Sequence, residues 1–285
     1  MTHPEGVECL EVRTSDCISD GLELCRRVAG DNRAGQLGLQ PRGPILNPAP
    51  IKGAVRWASV ALSANHSIAI AADGKVYCWG LNNQGQLGRG HASDNVADPE
   101  PVLSTFELDE LSVVAVGAGT NHSIVAAGDA LFVWGNNQYG QLGCGEVHDK
   151  PVCAPMMLRW LENVTVTQLT CGNNHSIVVT NQSTVYAWGC NERGQLGLGD
   201  QKLRSRPVRV DRLWGIPIVN VAAGGEHSLA VTTNGMLFTW GSNSHGQLGH
   251  PYNVEEAEEV HKRCLLPPVS ITHVVLIFRT IAPRM

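Results

Sequence analysis

The sequence predicts an all-β protein, a β-propeller built from a repeated hairpin unit. Three observations carry that expectation. The stretch at 175–199, HSIVVTNQSTVYAWGCNERGQLGLG, recurs in close variants that open at His66, His122 and His227. The His-Ser pairs are separated by 56, 53 and 52 residues, a fixed period of the kind that marks a repeat architecture. Within each copy, apolar and small residues alternate, the period of a half-buried strand.

Each element of the unit has a local reason. Ile68 and Ile70 alternate with small residues along the first hairpin strand, and Val76, Tyr77, Cys78 and Trp79 form the return strand. β-branched and aromatic side chains suit a pleated surface. The tips Asp73-Gly74 and Asn234-Gly235 tolerate the positive φ of a tight turn, and Gly128-Asp129 and Asn181-Gln182 are weaker forms of the same chemistry. A third strand precedes each histidine, at 60–64, 114–119, 166–172 and 219–225. Upstream again lies a proline-marked segment, with Pro99 and Pro101, Pro151 and Pro155, or Pro207. Proline is tolerated at a sheet edge, so this segment is an outer strand. The count comes to about four strands per unit, and four-stranded antiparallel units repeated radially are propeller blades. In the Gly-Gln-Leu-Gly loop the glycines permit chain reversal and the leucine is a peg between units. The repeat tryptophan, able to bury roughly 200 Å², fills the gap between blades.

The pattern Gly-x-x-His-Ser, Trp-Gly-x-Asn, Gly-Gln-Leu-Gly-x-Gly resembles the regulator-of-chromosome-condensation (RCC) repeat. The resemblance covers residues 55–250, with a weaker fragment at 28–39 in which Ala29 stands in the tryptophan position. It implies a propeller, normally of seven blades, whose face serves as a docking platform. The founding member of that family is an exchange factor for the GTPase Ran and uses an extra hairpin inserted in one blade. Here the period never exceeds 56 residues, which leaves no room for such an insertion. Other members are domains of HECT-type ubiquitin ligases. The plant ultraviolet-B photoreceptor carries sensing tryptophans before its repeat histidines. The matching positions here are Ala64, Thr120, Asn173 and Gly225.

Composition narrows the remaining classes. The chain has 285 residues, 31 glycines and 15 prolines, which suits a turn-rich β protein. Its net charge of −5 argues against nucleic-acid binding by bulk charge. No run of about twenty apolar residues is present, so no membrane span is expected. The first residues carry acids and no apolar core, unlike a secretory leader. Nine cysteines without a Cys-x-x-Cys pair suggest neither a disulfide framework nor a zinc site. An intracellular protein, cytoplasmic or nuclear, is the expectation. Residues 1–27 match nothing, 28–250 form the repeat region, and 251–285 are an atypical end. A short helix is expected at 254–264, supported by Glu258–Lys262 and Glu259–Arg263 pairs, with a partial repeat strand at 269–275. The expected architecture is therefore four good blades with partial blades at both ends. Open blade edges of that kind favour self-association, and a shortened form of a longer protein is the favoured origin.

The repeat motif residues are His66, Trp79-Gly80, His122, Trp134-Gly135, His175, Trp188-Gly189, His227 and Trp240-Gly241. Their repetition assigns them a structural role, each histidine bonding a neighbouring backbone group. A catalytic or metal site needs differentiated residues. No nucleophile triad, phosphate loop or metalloprotease motif is present, so no catalytic residue, metal or cofactor is expected. One cluster stands apart. Lys202, Arg204, Arg206, Arg209 and Arg212 lie within eleven residues, interrupted only by Asp211. Placed on one rim, they would dock an acidic partner; otherwise they form an ordinary solvated edge. The functional expectation is a protein-interaction propeller, a docking scaffold or regulatory domain without chemistry of its own. The alternative is guanine-nucleotide exchange on a Ran-like or Rab-like GTPase. The partner would be a protein, with a small GTPase or a ubiquitin-pathway component as the two candidates.

Overall fold

The computed structural model describes residues 10–13, 26–40, 43–51, 55–158 and 164–249. These form five antiparallel sheets in chain order, each a blade. Blade 1 contains β1 (Leu10–Arg13), β2 (Arg26–Gly30) and β3 (Ile45–Pro50). Blade 2 contains β4 (Trp57–Leu62), β5 (His66–Ala71), β6 (Val76–Gly80) and β7 (Val96–Pro101). Blade 3 contains β8 (Val113–Ala118), β9 (His122–Ala127), β10 (Ala130–Asn137) and β11 (His148–Leu158). Blade 4 contains β12 (Val166–Cys171), β13 (His175–Thr180), β14 (Val185–Gly189) and β15 (Arg204–Arg209). Blade 5 contains β16 (Ile218–Ala223), β17 (His227–Thr232) and β18 (Leu237–Gly241). The expected all-β propeller of RCC-type repeats is the fold observed. The partial N-terminal blade is present as a three-stranded sheet. The expected helix and partial repeat of 251–285 fall outside the described residues.

Side-chain alternation explains how blades stack. Along β5, Ile68 and Ile70 face blade 3, where they meet Val125, Ala127 and Phe132. Ala69 and Ala71 of the same strand face blade 1, against Val28 and Leu37. The same two-sided division recurs at β9, where Ile124 and Ala126 pack with Val178 and Trp188 of blade 4. Each hydrophobic layer therefore lies between two blades, and both faces of the central strands β5, β9 and β13 are buried, whereas β17 is fully buried on one face only. The four repeat tryptophans are 0–1% exposed. The loop leucines Leu37, Leu87, Leu142 and Leu196 are fully buried pegs, as their place in the motif predicts.

Three local expectations are corrected. The proline-marked outer strand closes the blade of the preceding hairpin: Tyr77 pairs with Pro101 and Ala187 with Val208. It does not belong to the hairpin that follows it. Sequence repetition fixes the period of a unit but not where the unit begins. The positive-φ turn position in blade 4 is Ser183, at φ 56°, and not the Asn181-Gln182 pair. Its counterpart in blade 5 is Gly235. Finally, blade 1 begins before the first recognisable motif, because Leu10–Arg13 pairs with Arg26–Ala29. That strand lacks the His-Ser signature, so the repeat pattern left it invisible. The segment between blades 2 and 3 also carries one short helix, Phe106–Glu110, started by Thr105, whose hydroxyl accepts from the Leu108 amide at 3.2 Å.

Removing a tryptophan from between blades leaves a large cavity. Trp134→Ala and Trp188→Ala are each expected to lower stability by about 3–5 kcal/mol, the range for large aromatics removed from cores. Denaturant titration followed by circular dichroism measures this, and an unchanged midpoint for both would contradict the packing.

Candidate functional site

The motif residues converge on one point, the backbone carbonyl of the loop glutamine. The Trp134 indole nitrogen donates to the Gln86 carbonyl at 2.8 Å, and the Ser123 hydroxyl donates to the same oxygen at 2.8 Å. Trp188 and Ser176 meet the Gln141 carbonyl at 2.8 and 3.0 Å. Trp240 and Ser228 meet the Gln195 carbonyl, both at 2.8 Å. Trp79 and Ser67 do the same at Gln36, at 2.9 and 2.5 Å. In every case the carbonyl belongs to one blade and the two donors to the next. A carbonyl oxygen has two lone pairs, and both are engaged.

The loop is built to hold that carbonyl in place. Asn137 accepts the Leu142 amide at 3.1 Å and donates to the Glu146 carbonyl at 2.9 Å. The Gln141 side chain accepts the Tyr139 amide at 2.9 Å. Gly143 takes φ 76°, and a side chain there would strike the Trp188 ring at 2.8 Å. Glycine is required at that position for both reasons. Gly189, the partner of Trp188, is constrained as well: its φ is 103°, and an added Cβ would lie 2.4 Å from the Asn174 carbonyl.

The histidines extend the contact in the other direction. The Nε2 of His66 lies 2.7 Å from the Ser123 hydroxyl, that of His122 3.0 Å from Ser176, and that of His175 3.0 Å from Ser228. Each of those hydroxyls gives its hydrogen to a glutamine carbonyl, so the imidazole must donate to it. The tautomer is thereby fixed with the proton on Nε2. Each of these three rings meets a side chain one blade away, where the sequence suggested a backbone partner, and His66 has a backbone partner as well, at Thr120. Burial lowers the pKa of His66 to about 3. Burial, then the neighbouring His66 and His175, lowers His122 to about 3. Burial, then His227, lowers His175 to about 3. Neutral imidazoles so placed are hydrogen-bond donors within the wall of the propeller.

Ser63 occupies the position held by Gly119, Gly172 and Gly224 in the other blades. Its hydroxyl lies 2.9 Å from the His66 carbonyl, 3.2 Å from the His66 amide and 3.2 Å from the ring Nδ1. The corresponding Nδ1 atoms of His122 and His175 are buried without such a partner.

The basic cluster lies on the outer strand of blade 4 and is not gathered at one rim. Arg204 pairs in register with Gly189 at one end of β15, and Arg209 with Tyr186 at the other. Each end carries its own carboxylate: Arg204 bonds Asp200 at 2.6 Å and Arg209 bonds Asp211 at 2.6 Å. Arg209 also stacks on Trp214 at 4.8 Å, and that indole is 67% exposed. The Arg206 guanidinium lies close over Gly145 of blade 3. Lys202 and Arg212 are exposed. Among the described residues no group of three or more His, Cys, Asp or Glu side chains is placed to hold a metal ion. No helix among them is long and apolar enough to cross a membrane.

Ser176→Ala removes the acceptor of one buried imidazole and a donor to one buried carbonyl. Its expected cost is about 1–3 kcal/mol, the penalty for orphaning buried polar groups, read from the shift in urea midpoint. The histidines also set a pH dependence. Their folded pKa of about 3 lies below the ordinary 6.5, so protonation favours the unfolded chain. Stability is therefore complete above about pH 6.5 and falls progressively toward pH 3. His122→Gln keeps an N–H donor but does not titrate. Its stability-versus-pH slope between those limits should be shallower than that of the wild-type chain, and an identical slope would contradict the assignment.

Comparison with known proteins agrees with this architecture. The model of the RCC1-like domain matches residues 22–278. The ultraviolet-B receptor UVR8 of Arabidopsis thaliana is 36% identical over 238 residues, covering 82% of this chain and 53% of the receptor. The human probable E3 ubiquitin-protein ligase HERC6 is 31% identical over 253 residues, covering 86% of this chain and 24% of the ligase. The chain thus spans about half or less of these relatives. Human WBSCR16 superposes with a TM-score of 0.70 at 25% identity, over 85% of this chain and 61% of that one. Yeast RCC1 (Prp20), solved bound to Kap60, gives 0.65 at 24% identity over 80% of this chain and 54% of that one, a likeness of fold. With the family model matching most of its length and the repeat contact present in four copies, the chain belongs to the RCC1-like domain family.

Proposed function

We propose that this propeller is a protein-docking module without chemistry of its own, a scaffold or regulatory domain within its family. The observation that carries the reading is the engagement of the repeat's polar side chains with one another. His122, Ser176 and Trp188 join the Gln141 carbonyl in one buried set, and the pattern repeats around the blades. Groups so held are not presented to a substrate, which directs function to the surface. The surface offers a distinctive stretch on the outer strand of blade 4, where basic side chains flank the exposed Trp214. Exposed tryptophan beside arginine is the composition of interaction hot spots. A relative that is a ubiquitin ligase and a structural neighbour that was solved with a bound protein are compatible with a protein partner.

Release of labelled nucleotide from a panel of Ran-like and Rab-like GTPases tests the reading. Release should stay at its intrinsic rate when the chain is added. A large catalytic acceleration, lost on combined Arg204→Glu and Arg206→Glu substitution, would replace docking by exchange activity. Cross-linking of the chain to its purified partners should map to the 202–214 edge, and cross-links confined to other blades would move the docking surface away from it.

A further inference from the structure

The turn between β15 and β16 holds Trp214 out of the fold. Val210 and Leu213, which precede it, are buried in the layer between blades 4 and 5. The backbone closes the turn tightly. The Leu213 amide donates to the Val210 carbonyl at 2.9 Å, Trp214 to Asp211 at 3.1 Å and Ile216 to Leu213 at 3.1 Å. Trp214 is therefore presented on an ordered pedestal and not on a slack loop. A large indole left 67% exposed is the informative exception among apolar side chains.

An irregularity in the adjacent strand brings two arginines to the same seam. In a regular strand, residues three apart point to opposite faces. The pairing of β14 with β15 shifts register between Ala187 and Gly189, opposite the stretch that contains Arg206. Arg209 lies opposite Tyr186, which packs in the layer between blades 3 and 4. Arg206, across the shift, also lies toward blade 3, with its guanidinium over Gly145. Both arginines are exposed. Met156 and Leu158 of blade 3 are partly buried in the same layer. Asp211 takes the Nε–H of Arg209, which leaves the terminal N–H groups of its fork for another acceptor. Among the described residues no carboxylate pairs with Arg206.

The charge of this edge opposes that of the chain. Residues 200–214 hold five cations and two carboxylates, whereas the whole chain carries −5. The equivalent outer strand of blade 2 presents Asp98 and Glu100 instead. We propose that the outer seam of blades 3 and 4 docks an extended acidic peptide segment with one apolar side chain. Its carboxylates meet Arg206 and the open fork of Arg209, which stand roughly 10 Å apart along the strand, the span of three residues in an extended partner. Its apolar side chain covers the indole of Trp214. Carboxylates at intervals fit this edge better than a continuous phosphate backbone, which Asp200 and Asp211 would repel. The inference rests on the docking reading and names the partner chemistry of that edge.

The probe is a labelled peptide of about ten residues, long enough to span the edge, with glutamate at every third position and one central leucine. Titrated with the full chain, its fluorescence anisotropy should show saturable binding that weakens as salt rises from about 0.05 to 0.5 M. Trp214→Ala in the chain, or alanine for leucine in the peptide, should each weaken binding about tenfold, the scale of a lost interface anchor. Trp214→Ala removes an exposed group, so that variant should melt as the wild-type chain does. Combined Arg206→Gln and Arg209→Gln should abolish binding. Combined Arg33→Gln and Lys75→Gln, at exposed positions on blades 1 and 2, removes the same charge and should leave binding unchanged. Absent binding, or equal weakening by both pairs of substitutions, would overturn the acidic peptide and leave the cross-linking test of docking untouched. A polyuridine oligonucleotide that binds more tightly, and is lost in the same variants, would overturn it by assigning the edge to nucleic acid. Peptide binding that emerges only when Glu255, Glu256, Glu258 and Glu259 are changed to glutamine would overturn a separate partner by assigning the edge to the chain's own acidic run.

Discussion

The molecule depends on a carbonyl oxygen that accepts two hydrogen bonds from a neighbouring blade. A buried backbone acceptor left unmet is costly, and the interior leaves no water to meet it. The glutamine carbonyl turns that liability into a joint. Its orientation is set by asparagine and glutamine side chains within its own loop, and its partners come from the next sheet. The three sequence signatures, His-Ser, Trp-Gly and Gly-Gln-Leu-Gly, are therefore parts of a single contact. Hydrophobic packing supplies most of the adhesion between blades. The double acceptor fixes their rotation and height, because an indole and a hydroxyl can share one oxygen in few relative positions.

Much of the fold was legible in the sequence because repetition multiplies weak signals. One alternating strand such as HSIVVT is ambiguous, but four at a common spacing are not. The burial of Trp188 and Leu196 followed from residue size and position. The phase of the repeat was not legible. Cutting a periodic string at any point gives the same string, so nothing in it says that Pro207 closes the blade that contains Trp188. The partner of His122 was hidden for a related reason: Ser176 lies 54 positions away and repeats at the same period. The glutamine was overlooked although a signal existed, since Gln36, Gln86, Gln141, Gln195 and Gln247 occupy one motif position. Its side chain suggested no chemistry, and its function lies in the backbone.

The charged cluster shows the limit of linear proximity. Five cations within eleven residues look like one patch. A strand advances about 3.3 Å per residue, so the ends of β15 stand roughly 17 Å apart. Each end then finds a local carboxylate, which damps its field at ordinary salt. What remains distinctive is Trp214, an exposed indole capped by Arg209. Trp214 lacks the full Trp-Gly-x-Asn pattern of the repeat and lies outside the sheets, between β15 and β16.

The direction of the inter-blade contact has a consequence for how the chain is made. In each joint the accepting loop precedes the donating hairpin in sequence, as Gln141 precedes Ser176 and Trp188. A chain synthesised from its N-terminus therefore completes each receptacle before the side chains that enter it emerge. Every new tryptophan meets a finished seat, and exposed indole is short-lived during translation. A reversed polarity, with the tryptophan made first, would leave each one uncovered for the time needed to synthesise another blade. The order of words within the repeat thus carries a kinetic advantage that the finished, symmetric wall no longer displays.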